Sequence, residues 1–463
     1  MSSSPSAVLS RWEPENPEFW RETGQRVAYR NLAISIPALM LAFSVWMLWS
    51  VVVVNLGRAG FDLSKNQLFW LTALPALSGA TLRVFYSFLV PIFGGRRWTA
   101  ISTASLLIPA VGMGFALRDP DTSYPVLLAL ALFCGLGGAN FSSSMSNISF
   151  FFPKVKKGLA TGLNAGIGNL GVSLVQFVVP MIIGVGVFGA IGGDPYIAQG
   201  VDARPIWLQN AGFVWVIPIA IMSVAAWFGM NDIADAKASF ADQAVIFKRK
   251  HNWLMCWLYV GTFGSFIGFS AGFAMLTMAL FPDVNPMTYA FLGPLVGSLT
   301  RPLGGWVSDK VGGARVTMWT FIGMAFAVVM VMGFLPGAGG QGDFMGFLLA
   351  FIVLFALSGI GNGSTFRMIP VIFLHERLSA AKGRGEAAQK QALIDASKES
   401  AAVLGFSGAI GAYGGFFIPR SFGTSLAMTG EVHAALYSFI AFYLSCVLVT
   451  WWYYARRNAP VPC

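Results

Sequence analysis

Apolar residues in this chain fall into long runs that are separated by short polar segments. A lipid bilayer has a hydrocarbon core about 30 Å thick, and an α-helix needs roughly 20 apolar residues to cross it. Runs of this kind recur twelve times, so the pattern predicts an all-α polytopic membrane protein with twelve transmembrane helices. Their approximate bounds are 32–56, 67–92, 99–117, 124–147, 158–187, 208–230, 253–280, 287–308, 315–335, 344–373, 399–419 and 432–455.

The longest polar interruptions are residues 231–252 and 374–398. The first divides the predicted helices six and six, which favours two six-helix bundles joined by a cytoplasmic linker. We therefore expect five regions along the chain. They are an N-terminal segment (1–31), an N-terminal bundle (32–230), the linker (231–252), a C-terminal bundle (253–455) and a tail (456–463).

Composition agrees with a lipid environment and narrows the class of protein. Hydrophobic residues make up 56% of the chain and charged residues 11%, whereas about 25% charged residues is usual in soluble proteins. This excludes a water-soluble enzyme. The sequence also lacks a nucleotide-binding loop, a nucleophile constellation and a Cys/His cluster with metal-ligand spacing. We therefore expect no enzymatic activity, cofactor or metal.

The net charge of +10 is explained by where the basic residues lie. Most Lys and Arg residues fall in the two termini and in the even-numbered loops between the predicted helices. Because cytoplasmic loops are enriched in these residues, both termini are expected in the cytoplasm. The charge thus reflects topology in a membrane, with lipids as partners, and does not indicate nucleic-acid binding.

Two pairs of predicted helices repeat the same residue spacing. The second and eighth both contain Gly-x3-Arg-x10-Gly-Gly-x-Arg, at residues 79–97 and 297–315. The fifth and eleventh contain GLNAGIGNLG (162–171) and GFSGAIGAYG (405–414). Each pair links a helix to the one six places later, which predicts two parallel, pseudo-symmetric halves.

The second copy of the first repeat includes GGWVSDKVGGAR (304–315). This stretch resembles the loop motif of the major facilitator superfamily, which pins neighbouring helices at the cytoplasmic end. The first copy has Pro91 where the second has Asp309. We expect these residues to act in gating and structure and not in substrate contact. The set comprises Gly94, Gly95, Arg97, Asp309, Gly312, Gly313 and Arg315.

Arg83 and Arg301 lie within predicted helices, where an arginine costs at least ~2.5–3.5 kcal/mol and usually has a function. All twenty Asp and Glu residues fall in termini, loops or the ends of the runs, so we expect no carboxylate to neutralise the two. The repeat places them at equivalent depths, and we expect them to face each other across a central cavity and bind an anion. Arg367 is instead expected to extend to the cytoplasmic surface.

Arginine alone does not distinguish a phosphate ester, a carboxylate and a small planar anion. The Gly-rich fifth and eleventh helices allow close helix approach, which favours a small anion.

The chain resembles the nitrate/nitrite porter family of the major facilitator superfamily, the bacterial NarK-type transporters, over nearly its whole length. The matching stretches are residues 12–20, 78–98, 139–154, 162–173, 262–276 and 405–419. The two Gly-rich stretches are similar to the family's paired nitrate-signature motifs. Their glycines here are Gly162, Gly166, Gly168, Gly171, Gly405, Gly411, Gly414 and Gly415.

The resemblance implies a major facilitator fold, nitrate and nitrite as substrates, a location in the bacterial inner membrane and function as a monomer. It also implies one anion held between two arginines, an aromatic sandwich, a tyrosine hydroxyl and a motif asparagine. The implied residues are Arg83, Arg301, Phe141, Phe263, Tyr259 and Asn169. Related members read GSGSTFQM where this chain reads GNGSTFRM (361–368), so Arg367 departs from the family pattern.

Three functions remain open on the sequence. An empty carrier with two unneutralised arginines reorients slowly, which favours nitrate/nitrite antiport, with nitrate moving in and nitrite out. Proton-coupled nitrate symport is the alternative, although such symporters commonly use an intramembrane Asp, Glu or His. A non-transporting membrane anion sensor is more remote, because the paired arginines and the intact repeat argue against it.

Overall fold

The computed structural model describes residues 7–197, 204–234, 245–337 and 342–463. Within these residues, eleven helices are long and apolar enough to cross a membrane, judged by length and composition. A further helix at the eighth predicted position, Leu292–Val311, carries Arg301, Asp309 and Lys310. The chain is an all-α polytopic membrane protein, as the hydrophobic pattern predicts.

The first six of these helices follow the first six predicted runs. They are α1 (Gln25–Trp46, continued by Trp49–Leu56), α2 (Lys65–Phe93), α3 (Gly95–Ala104, continued by Leu107–Ala116), α4 (Tyr124–Phe151), α5 (Lys154–Ile182) and α6 (Asn210–Phe213, continued by Val216–Gly229).

The second six follow the remaining runs. They are α7 (Lys250–Tyr259, a π-helical segment Val260–Gly264, then Ser265–Leu280), α8 (Leu292–Val311), α9 (Gly313–Gly333), α10 (Phe344–Ala381), α11 (Glu386–Ala412, continued by Gly414–Thr429) and α12 (His433–Thr450, continued by the π-helical segment Trp451–Ala455).

The chain divides into two compact units. Unit 1 comprises Met1–Ala238, Ser270–Met278 and Val284–Phe291, and unit 2 comprises Ser239–Phe269, Ala279–Asp283 and Leu292–Cys463. Equivalent helices pack together in each unit. In unit 1, α2 packs along α4 and α5 along α1; in unit 2, α8 packs along α10 and α11 along α7. The linker predicted at 231–252 includes residues 235–244, which lie outside the described residues, so the predicted region boundaries stay predictions.

The prediction that residues 374–398 form a polar interruption between helices is wrong. Helix α10 continues to Ala381 and α11 begins at Glu386, so only four residues, 382–385, separate them. The segment is rich in Ala, Glu, Gln and Lys, which favour helix. Hydropathy measures the apolar part of a helix and does not register a polar extension outside the bilayer.

Glycine and a capping residue set the ends of α2. Ser64 and Gln67 form a capping box at its start, in which each side chain accepts from the other residue's backbone N–H. At its end, Gly94 has φ 86°, and the equivalent Gly312 between α8 and α9 has φ 94°. This left-handed conformation favours glycine, so the repeated Gly-Gly pair marks the same sharp turn in both units.

Within the described residues, four short strands form two ladders outside the helices. Strands β1 (Val8–Leu9) and β4 (Asp232–Ile233) pair in parallel, and β2 (Tyr196–Ile197) and β3 (Pro205–Ile206) pair in antiparallel fashion. The first ladder joins the N-terminal segment to the residues that follow α6. Trp12 strengthens this attachment, since its Nε1 donates to the carbonyl of Phe150 at 3.0 Å.

Candidate functional site

Arg83 is completely buried within unit 1. It lies on α2, and its Nε donates to the carbonyl oxygen of Gly138 on α4 at 2.9 Å. The guanidinium lies over two aromatic rings, 5.1 Å from the centroid of Trp46 and 4.8 Å from that of Phe141. Desolvated cation–π contacts are worth about 2 kcal/mol each. The predicted pair Arg83 and Phe141 is therefore in direct contact, and the rings hold the cation in a fixed direction.

Trp46 also packs against this guanidinium, although no motif or residue spacing in the sequence points to it. Its Nε1 donates to the carbonyl oxygen of Pro75 at 2.7 Å, which fixes the ring. A Cβ on Gly79 would lie 2.7 Å from that nitrogen, so only glycine fits there. The Gly-x3-Arg spacing thus has a physical reason, because the glycine one turn before the arginine makes room for the ring that packs against it.

Unit 2 repeats this use of glycine. A Cβ on Gly297, one turn before Arg301, would lie 2.8 Å from Cδ2 of Phe266. Phe266 lies on α7, as Trp46 lies on α1. The repeat noticed in the sequence therefore corresponds to a repeated helix contact in the two units.

Arg301 is 7% exposed and is surrounded by aromatic residues of unit 2. Its Nη2 donates to the hydroxyl of Tyr259 at 3.4 Å, and its Cζ lies 5.3 Å from the ring centroid of Phe366. Nη1 is buried without a hydrogen-bond partner among the described residues, and none of their ion pairs includes Arg301. A buried donor without a hydrogen bond costs free energy. The site is therefore suited to a polar or anionic ligand that accepts from this nitrogen.

Tyr259, the hydroxyl partner of Arg301, packs against Phe263. Their rings stack with centroids 5.4 Å apart and planes inclined by 19°. Both residues flank or lie within the π-helical segment Val260–Gly264. Single π turns inside α-helices occur frequently at functional sites. The two rings therefore lie on the same side of α7.

Asn169 lies on α5 in unit 1 and is 1% exposed. Both side-chain polar atoms, Oδ1 and Nδ2, are buried without a hydrogen-bond partner among the described residues. An unsatisfied buried polar group costs about 1–3 kcal/mol. The Asn169 amide can therefore bind a polar ligand without losing a hydrogen bond to any of the described residues.

Glu399 corrects the expectation that every carboxylate lies at the end of a helix or outside the helices. It lies within α11 and is 5% exposed. Arg249 donates to it at 3.0 Å and Arg377 at 3.0 Å from its Nε. The hydropathy pattern predicted a loop in place of the polar first part of α11, and so placed Glu399 at the start of a helix. Its charge is compensated by these two arginines.

The signature glycines separate into tight and open positions, and repeat partners behave alike. A Cβ on Gly168 would lie 2.7 Å from Leu39, and one on Gly411 would lie 2.8 Å from Cδ1 of Tyr259. Gly171 and Gly414 approach backbone atoms even more closely. These four glycines therefore allow α5 to pack on α1 and α11 on α7.

Three of the remaining four signature glycines are not tight helix contacts. Gly162, Gly166 and Gly405 have no atom within 4 Å of an added Cβ, and Gly415 is buried near the start of Gly414–Thr429. Gly162 and Gly405 are repeat partners. The two units therefore have open glycine positions at equivalent places, as they have tightly packed ones.

The loop motif of unit 1 receives its carboxylate from a distant part of the chain. Asp232 accepts from the backbone N–H of Arg96 at 2.8 Å and from its Nε at 3.3 Å, and it lies 3.8 Å from Nε of Arg97. A Cβ on Gly94 would lie 2.4 Å from Oδ1 of Asp232. The acid that is absent at Pro91 is thus supplied from β4, which sequence spacing did not reveal.

In unit 2 the motif's own aspartate forms an ion pair. Arg367 donates from Nε to Oδ1 of Asp309, and the two side chains are 45% and 55% exposed. Arg367 is therefore about half exposed and has a partner, and its expected position at the cytoplasmic surface stays a prediction. The second glycine of the Gly-Gly pair is tightly packed in both units. Gly95 and Gly313 are buried, and an added Cβ would meet Asn147 and Met368, respectively. Arg315 is exposed.

Comparison with known proteins adds independent evidence. The model of the Major Facilitator Superfamily matches residues 34–388. The nitrate/nitrite transporters NarU of Salmonella typhimurium and of Escherichia coli are each 53% identical to this chain, over 97% of both sequences. The probable nitrate/nitrite antiporter NarK2 of Thermus thermophilus is 40% identical over 100% of both.

Solved structures show the same fold at low sequence identity. The crystal structure of a D-xylose–proton symporter has a TM-score of 0.64 and 15% identity, covering 94% of this chain and 98% of that chain. The xylose transporter XylE of E. coli, in an inward-open conformation, has a TM-score of 0.63 and 14% identity, with 92% and 96% coverage. These matches concern the fold alone.

Proposed function

Because the chain belongs to the nitrate/nitrite porter family of the major facilitator superfamily, we propose that it exchanges nitrate for nitrite across the membrane by alternating access. Membership in a transporter family agrees with the expectation that it is not an enzyme. The observation that carries the proposal is Arg301, whose buried guanidinium has one nitrogen without a hydrogen-bond partner among the described residues. A small oxyanion supplies both the acceptor and the negative charge.

We propose that Arg83 in unit 1 and Arg301 in unit 2 provide the positive charge that binds the anion. Both are surrounded by aromatic rings, and a dry environment strengthens charge interactions. A planar guanidinium suits a planar oxyanion, because two parallel N–H bonds reach two oxygens. Phe141 and Phe263 supply flat apolar surfaces that exclude water.

Two polar side chains complete the proposed set. Tyr259 accepts a hydrogen bond from Arg301, and a hydroxyl that accepts one bond can donate its own hydrogen to an anion. Asn169 offers an amide with unmade hydrogen bonds. Neutral donors of this kind fix the orientation of the anion without adding charge.

The charge balance favours antiport. A bound anion offsets the buried guanidinium charge, so a loaded carrier reorients more readily than an empty one. Glu399, a buried carboxylate of unit 2, pairs with Arg249 and Arg377. NarK2 and NarK1 of T. thermophilus carry names that describe them as probable antiporters.

One observation favours proton-coupled nitrate uptake as a second candidate. His251 is 6% exposed, its Nδ1 lies 2.8 Å from the hydroxyl of Tyr454, and its Nε2 lies 3.6 Å from Oε1 of Glu376. Histidine is a side chain that can bind and release a proton. This cluster lies at the start of α7, apart from the residues that contact Arg301.

We propose the bacterial inner membrane as the location, with both termini in the cytoplasm and the monomer as the functional form. The distribution of basic residues supports the orientation. Each unit holds one of the two arginines, so a single chain supplies the complete set of proposed residues.

Uptake of isotopically labelled nitrate into proteoliposomes tests the function. We expect vesicles preloaded with nitrite to take up nitrate much faster than empty vesicles, with little effect of an inward proton gradient. Equal rates in empty vesicles that rise steeply with external acidity would establish symport instead. Absence of uptake in every condition, from protein that still binds nitrate, would indicate a sensor.

A further inference from the structure

Helices α8 and α10 contact each other at two successive levels in unit 2. Helix α8 carries Arg301 and, further towards its end, Asp309; α10 carries the consecutive residues Phe366 and Arg367. At the first level, the Arg301 guanidinium lies over the Phe366 ring at 5.3 Å. At the second, Arg367 donates to Asp309. One pair of neighbouring residues on α10 therefore connects the proposed anion site with the loop motif.

Small residues form the interface between the two helices. Gly359 of α10 approaches the carbonyl oxygen of Gly297, since an added Cβ would lie 2.2 Å from it. Gly363 likewise approaches the carbonyl oxygen of Arg301, at 2.1 Å. Small residues at these positions allow the two backbones to approach closely. The larger side chains of Phe366 and Arg367 add contacts with α8 beside this interface.

We propose that Arg367 is a positioning residue for the anion site of unit 2. Its ion pair with Asp309 holds α10 in register with α8, and this register keeps the Phe366 ring against the Arg301 guanidinium. The inference rests on the proposed function, in which Arg301 binds the transported anion. It also gives a role to the arginine that departs from the family pattern.

The Phe366 ring matters because it shields the cation. The ring also lies 6.1 Å from that of Tyr259, so Phe366 contacts both the arginine and its hydroxyl partner. If α10 shifts, water reaches the guanidinium and the attraction between it and an anion weakens. Loss of the ion pair should therefore lower anion affinity, although neither Asp309 nor Arg367 touches the anion.

The experiment compares Arg367→Gln, Asp309→Asn and the double variant by nitrate binding to purified protein and by transport kinetics. Half-exposed ion pairs contribute at most about 1 kcal/mol, which corresponds to about a 5-fold change. We expect each single variant to raise Kd and KM by ~2–5-fold with little change in turnover. The double variant should be no worse than either single one, because all three lose the same interaction.

Two further variants separate positioning from general damage. Arg367→Lys keeps the charge and should retain most of the affinity. The charge-swapped double variant, Asp309→Arg with Arg367→Asp, should regain affinity that the two single swaps lose. Lys390→Gln is the matched control, because it breaks the exposed ion pair with Glu386 in the same unit, and should leave Kd unchanged.

Wild-type Kd in Arg367→Gln, additive losses in the double variant, or reduced turnover with unchanged Kd would each overturn the proposal. Reduced turnover alone would assign the pair to gating. These outcomes all require wild-type protein that binds nitrate. Failure of the wild type itself to bind nitrate would refute the proposed function, and the inference with it, so the two failures are distinguishable.

Discussion

Gly411→Ala tests whether a signature glycine protects the geometry of the anion site. The added Cβ would lie 2.8 Å from Cδ1 of Tyr259 and 3.1 Å from the Tyr259 carbonyl oxygen. Ordinary contact begins near 3.4 Å, so the ring must move by about 0.6 Å or α11 must move away from α7. Either movement disturbs the residue that accepts from Arg301.

The expected magnitude follows from that hydrogen bond. The distance from Arg301 Nη2 to the Tyr259 hydroxyl is 3.4 Å, near the limit for a hydrogen bond, so a small shift breaks it. A hydrogen bond of ordinary length to a charged group contributes about 1.5–3 kcal/mol, and a bond of 3.4 Å contributes less. Since 1.4 kcal/mol is about a factor of ten, we expect nitrate affinity to fall by about 3- to 10-fold.

The assay measures nitrate binding to purified protein together with transport in proteoliposomes at matched protein content. Gly405→Ala is the matched control, because it adds the same methyl group to the same helix at a position with no atom within 4 Å. Both changes raise helix propensity by about 1 kcal/mol, so a difference between them reports on packing. Wild-type affinity in Gly411→Ala would refute the reasoning.

Further predictions concern charge, packing and the loop motif. Arg83→Lys and Arg301→Lys keep the charge but lose the planar fork, and each should reduce nitrate transport severely at matched membrane expression; near-normal transport would remove that arginine from the site. Gly168→Leu should abolish transport because its side chain meets α1, whereas Gly162→Leu, at an open position, should retain it; equal activities would contradict this. Asp232→Asn should lower the free energy of unfolding by about 1.5–3 kcal/mol, measured by thermal unfolding in detergent, and an unchanged midpoint would show that its hydrogen bonds contribute little.

The burial of Arg83 and Arg301 was predictable because it depends on local sequence. Twelve apolar runs define the helices. Because charge is costly in lipid, an arginine in the middle of a run is buried within the protein, whereas one near the end of a run can extend out of the lipid. The repeated Gly-x3-Arg spacing then indicated that the two arginines are equivalent. Their proposed role in binding the anion remains a prediction, which the lysine substitutions test.

The error at residues 374–398 has the opposite cause. Hydropathy reports transfer into lipid, whereas helix formation depends also on propensity and on contacts outside the lipid. Helices α10 and α11 extend beyond their apolar runs, and in the extension of α11 Glu399 is buried against Arg249 and Arg377. That pairing joins residues of α10 and α11 with the residue that precedes α7, and no local sequence window detects it.

The sequence by itself determined the membrane fold, the two-fold repeat and the positions of the buried arginines, because these follow from apolar run length, residue spacing and the cost of charge in lipid. Only the tertiary structure identified Trp46 beside Arg83, Phe366 beside Arg301 and Asp232 at the loop motif of unit 1. Asp232 and Arg96 are 136 positions apart in the chain. Hydrogen bonds and cation–π contacts act over a few ångströms, so which residues form them is decided by how the helices pack.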